Sequence, residues 1–111
     1  VIEVLLVCGK DGAFKSCNAS GHAGFAAKGK DIVCAAVTEL LRTAVQVLQK
    51  TEGMTVKTET PSRGKLAFSV EDNGCSMKIE RLRCTADFIR LGVTNLAQEY
   101  PANVQLRELS E

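Results

Sequence analysis

The segment from Asp31 to Lys50 constrains the fold more than any other part of the chain. Val33, Val37, Leu40, Leu41, Ala44 and Leu48 recur at helical spacing, so one side of a long helix is apolar. Asp31 stands where its carboxylate can accept a hydrogen bond from a free N–H of the first turn, and Thr51-Glu52-Gly53 ends the run. Such a helix owes its stability to a second apolar surface on which it can lie. The flanking segments supply one. Val1 to Cys8 is apolar on both alternating faces apart from Glu3, which predicts a strand buried on both sides. Gly9-Lys10-Asp11-Gly12 then turns the chain into a second strand, Ala13 to Ala19.

After the helix, Met54 to Thr60, Lys65 to Glu71 and Ser76 to Arg81 alternate as strands. They show Met54/Val56, Leu66/Phe68/Val70 and Met77/Ile79 to the core. Pro61-Ser62-Arg63-Gly64 and Asp72-Asn73-Gly74 supply the turns between them. A second helix runs from about Thr85 to Glu99, with Phe88, Ile89, Gly92, Val93, Leu96 and Tyr100 on its apolar side and Asp87, Arg90, Asn95, Gln98 and Glu99 on its wet side. Gly92 costs about 1 kcal/mol against Ala in a helix, which close approach to the first helix would justify. Pro101 stops it, and Val104 and Leu106 fit a last edge strand. The expected class is α+β, in the order ββαβββαβ, with a mostly antiparallel sheet and both helices packed on one face. One domain spans 1–111, without repeats or an internal boundary.

Composition narrows the partners. Apolar residues at 45% and charged residues at 24% are globular proportions, which argues against wholesale disorder. Fourteen Lys and Arg against thirteen Asp and Glu leave a charge of +1, so no basic face for nucleic acid is expected. Apolar stretches such as Val4 to Cys8 fall far short of the ~18 residues of a membrane span. No signal peptide is expected either, because no basic region precedes an apolar run. The five cysteines, Cys8, Cys17, Cys34, Cys75 and Cys84, are odd in number and show no Cys-x-x-Cys spacing. That argues against a disulfide framework and against a thiolate metal site, and points to a reducing cytoplasm.

Two features converge where a loop, Ser20 to Lys30, meets the first helix. With Asp31 as N-cap, Cys34 is the third residue of the helix, where unpaired N–H groups and the positive end of the dipole favour a thiolate. His22, the only histidine, lies on a loop that must return to the same helix end. An imidazole in reach could take the thiol proton and later protonate a leaving amine. The same free N–H groups could form an oxyanion hole. Each residue also has a plainer reading. A lone Cys at a helix start is more often core than catalytic, a loop His is usually surface, and Asp31 is foremost a cap. Thr38, one turn after Cys34, could donate a hydrogen bond there or back-bond to the helix. Core packing is the reading for Cys8, Cys17, Cys75 and Cys84, with Cys84 the only rival to Cys34 by position near a helix start.

Gly21-His22-Ala23, followed by Gly29-Lys30-Asp31-Ile32-Val33-Cys34-Ala35-Ala36, closely resembles the ribosomal-processing cysteine protease Prp family of bacteria. The resemblance covers nearly the whole chain, through a second helix ending in Tyr100-Pro101 and a final strand. It implies an endopeptidase with a Cys/His dyad, Cys34 as nucleophile and His22 as base, needing no metal or cofactor. It also implies a cytoplasmic homodimer that removes an N-terminal extension from a large-subunit ribosomal protein. Gly21, Asp31 and Thr38 fall at supporting positions; Thr38 departs from the usual Ser, keeping the hydroxyl and adding a methyl. Lys50 to Arg63 matches in pattern only. Ala23, Phe25 and Ala26 are candidates for substrate contacts in a loop expected to be mobile and to close over a fitting peptide. The alternatives are a non-catalytic, ribosome-associated peptide-binding module, and a thiol redox sensor, which would want a resolving Cys nearby.

Overall fold

A computed structural model describes residues 1–22, 24, 26–27, 31–60, 64–71 and 78–111. The chain begins with an antiparallel hairpin, β1 (Ile2–Cys8) and β2 (Phe14–Ser20), and continues into α1 (Ile32–Gln49). A second antiparallel pair follows, β3 (Val56–Glu59) and β4 (Lys65–Val70), then α2 (Ile79–Glu99) and β5 (Val104–Ser110). The five strands form one sheet in the order β3-β4-β2-β1-β5. Every pairing is antiparallel except β1 with β5, which is parallel. The α+β class and the edge position of the last strand agree with the sequence.

The core lies between one face of the sheet and the two helices. Ile2, Val4, Leu6 and Cys8 alternate inward on β1, and cross-strand pairing sets Ala19 beside Val4 and Cys17 beside Leu6. Phe68 of β4 and Val104 of β5 extend that face, and Phe14 stacks on Phe68 with ring centroids 5.3 Å apart. Val33, Val37, Leu41, Ala44, Val45 and Leu48 of α1 close over it with Ala86, Ile89 and Val93 of α2. By length and a hydropathy of 1.3, α1 could cross a membrane, but its apolar stripe is used on this core. The helices approach closely at Gly92, as expected. A Cβ there would lie 2.5 Å from Cδ1 of Leu40.

Three expectations need correction. Ser76 to Arg81 does not form a strand: residues 79–81 are the first turn of α2, Ser76 and Met77 lie outside the described residues, and the order is ββαββαβ. Ile79 begins a helical stripe, Ile79, Leu82, Ala86, Ile89, Val93, and the longer period prevails over the expected alternation. The second face of β1 is covered only at its end, where Val7 is buried; earlier on that face Glu3 is exposed and Leu5 half-buried above an open hollow shared with Asn18, Ala67 and Arg107. Phe88, placed on the apolar side of α2, is 45% exposed.

Candidate active site

α1 begins where its sequence says it should. Asp31 is in extended conformation, with φ −85° and ψ 97°, and its Oδ1 accepts the Cys34 N–H at 2.9 Å. Cys34 is therefore the third residue of the helix, held at the positive end of the dipole. The cap has a chemical consequence. Because the Cys34 amide is engaged by Asp31, it is not one of the free N–H groups expected for an oxyanion hole. Among the described residues, the amides of Ile32 and Val33 are the first-turn donors left without a partner.

Cys34 is half-buried and lines a groove of about 280 Å³ between α1 and the β3–β4 side of the sheet. Ile2, Val37, Leu41 and Val45 make its apolar part. Thr38 and Arg42 continue the wall of α1, while Thr58, Thr60 and Gly64 face them. Thr38 is exposed there, and among the described residues its hydroxyl makes neither of the hydrogen bonds considered for it.

The entrance to the loop is set by two glycines. The Gly21 N–H donates to the Gly64 carbonyl at 2.9 Å, tying the end of β2 to the start of β4. Gly21 has φ +96°, and a Cβ on it would run into the carbonyl oxygen of Val1. Both facts require glycine. Gly64 has φ +79°, and a Cβ there would come within 2.9 Å of Cε1 and 3.0 Å of Nε2 of His22. The imidazole thus rests over Gly64, a residue of the same groove as Cys34. Among the described residues, no hydrogen bond joins His22 to Cys34. Of the proposed loop contacts, Ala26 is exposed, and Ala23 and Phe25 lie outside the described residues.

None of the other described thiols lines the groove. Cys17 is buried, and desolvation pushes its pKa from 9.0 up to about 12. Burial also raises Cys8, although the Arg90 guanidinium beside it pulls the other way. Cys84 is exposed in the second turn of α2, which corrects both its core assignment and its closeness to a helix start. Cys75 lies outside the described residues. Among those residues no group of three His, Cys, Asp or Glu side chains could hold a metal ion. Gly64, Arg42, Thr58 and Thr60 were not singled out from sequence for the site. Arg42 alone carried a signal, standing two turns after Cys34 on the same side of α1.

A helix-start thiol opening into a groove, on an α+β sheet, defines a site of the thiol-peptidase kind. The chain belongs to the cysteine protease Prp family, whose model matches residues 1–105, and it is a cysteine protease. Among solved structures, SMU.848 from Streptococcus mutans is similar at 28% identity and a TM-score of 0.79, covering 100% of this chain and 96% of that one. The essential ribosomal processing protease Prp from S. aureus, crystallised with a covalently linked product peptide, is 18% identical with a TM-score of 0.84. That match covers 98% of this chain and 100% of the other. The same S. aureus protease with a substrate peptide gives 17% and 0.78, again over 98% and 100%. At those identities the S. aureus structures establish the fold. No curated protein matches the chain in sequence.

Proposed function

We propose that the chain is an endopeptidase in which Cys34 is the nucleophile and His22 the base, acting on the N-terminal extension of a large-subunit ribosomal protein. The observation that carries this is the Asp31 cap on the Cys34 amide, which fixes the thiol at the helix start and at the groove. In the reaction His22 takes the Cys34 proton and the sulfur attacks the scissile carbonyl carbon. The tetrahedral oxyanion is met by first-turn amides of α1, and His22 returns the proton to the leaving amine. Water then hydrolyses the thioester and frees the thiol. The engagement of His22 belongs to the peptide-bound state, since catalytic hydrogen bonds commonly tighten only in the complex.

The S. aureus relative, a ribosomal processing protease with a product peptide covalently linked, supports the substrate class. The near-neutral charge supports short-range selection of a peptide over attraction to nucleic acid. The reading includes a cytoplasmic homodimer, for which exposed Phe88 and Leu91 on α2 offer apolar surface to bury. It is tested by incubating the protein with the extended ribosomal protein, the same protein without its extension, and casein, and identifying fragments by mass. One cut in the extended protein, none in the shortened one and little in casein are expected, with loss of the cut in Cys34→Ala. Binding without cleavage by the unaltered protein would instead make it a peptide-binding module.

A further inference from the structure

β3 is the outermost strand on its side of the sheet, and the ladder decides which of its backbone groups are free. The Glu71 N–H donates to the Thr55 carbonyl at 3.0 Å, and the register then sets Lys57 against Ser69 and Glu59 against Ala67. In an antiparallel ladder, residues that exchange hydrogen bonds with the partner alternate with residues whose amides point away. Thr55, Lys57 and Glu59 therefore face β4 with their backbone groups, while Val56 and Thr58 turn theirs to the open edge. Thr58 also lines the groove that holds Cys34. The free backbone donor and acceptor of Thr58 and the thiol thus border one cleft.

We propose that the peptide substrate lies in this cleft as a sixth strand, hydrogen-bonded to the N–H and C=O of Thr58 at the free edge of β3. The proposal rests on the protease reading of the same groove and names how that groove holds its chain. A strand added to a sheet edge gains affinity from main-chain hydrogen bonds and specificity from pockets for alternate side chains. Val37, Leu41 and Val45 are apolar lining for one alternate set of side chains. The four residues of β3, with exposed Lys57 between the outward amides and exposed Glu59 after them, form a short charged edge. Such edges discourage pairing with another sheet, so a single peptide held by the adjoining groove is the occupant that fits. Only an extended segment can bind this way, which favours an unfolded extension over a folded protein.

Thr58→Pro removes the outward N–H and no ladder bond, and proline is tolerated at an edge strand facing out. The measurement is the affinity of a fluorescein-labelled peptide of the ribosomal extension for the Cys34→Ala protein, with and without a change at position 58. Thr58→Pro should weaken binding about tenfold, the effect of roughly one lost main-chain hydrogen bond, and at least about threefold more than Thr58→Val, which changes the side chain and keeps the N–H. N-methylation of successive peptide amides, read on the protein with Thr58 intact, should weaken binding at every second position. That scan also decides the matter should Thr58→Pro melt early. Equal affinity in a folded Thr58→Pro protein, or a scan without alternation, overturns strand addition. Either result leaves the protease reading standing, because cleavage by the unaltered protein is measured separately.

Discussion

The two helices begin in different ways. α1 starts on Asp31, whose side chain closes a hydrogen bond within three residues of itself. α2 starts on Lys78 with no side-chain cap, and its first turn is held from a distance. Arg81 Nε donates to the Thr51 hydroxyl at 2.6 Å, at the far end of α1, and Arg83 Nε donates to the Asp11 carbonyl in the β1–β2 turn. One start is specified by neighbours in sequence, and the other by partners that exist only after the chain has folded. The locally specified start carries the thiol. The distantly held one ties three parts of the molecule together.

The cysteines should separate the two starts most sharply. Cys34→Ala should lower kcat/KM at least about 10³-fold with the melting temperature unchanged, whereas Cys84→Ala, exposed on α2, should alter neither. Full activity in Cys34→Ala would erase the distinction. Arg81→Ala should destabilise the fold by about 1.5 kcal/mol, because it removes a charged donor from the buried Thr51, and urea denaturation would show it. Asp31→Ala should cost about 1 kcal/mol as a lost cap. It should also reduce kcat more than KM, since the Cys34 amide loses the partner that fixes the thiol; a KM effect alone would reduce Asp31 to a structural residue. The smallest effect is expected from Lys78→Asp. Replacing a cation by an anion beside the positive end of α2 should stabilise it by about 0.5 kcal/mol, less at high salt.

The same contrast explains what could be read from the sequence. Asp31, the stripe from Val33 to Leu48 and the turn glycines act over a few residues, so α1, the hairpins and the position of Cys34 were legible. The start of α2 was not, because its supports are Thr51 and Asp11, far away in sequence, and Lys78 offers no capping signal. The alternation of Met77 and Ile79 therefore looked like a strand. The site divides in the same way. Cys34 and His22 stand out as residue types; Cys34 lines the groove and His22 rests against Gly64, which also lines it. Gly64 beside His22, and Thr58 with Thr60 opposite α1, depend on how β2, β3 and β4 are paired, which no short window contains. The open start of β1's outer face was hidden for a related reason: apolar Leu5 says nothing about whether another layer exists to cover it.

The parallel pairing of β1 with β5 bears on when the molecule becomes active. Ile2 pairs with Val104, and its N–H donates to the Asn103 carbonyl at 2.9 Å, so the first strand finds this neighbour only after about a hundred further residues have been made. Contacts so distant in sequence form late and slowly. Ile2 also lines the groove that holds Cys34. On the ribosome, then, β1 and β2 can pair early, but one side of the groove's floor stays unsupported until residues 104–110 emerge. A nascent chain of this topology presents Cys34 long before the groove beside it has its full support.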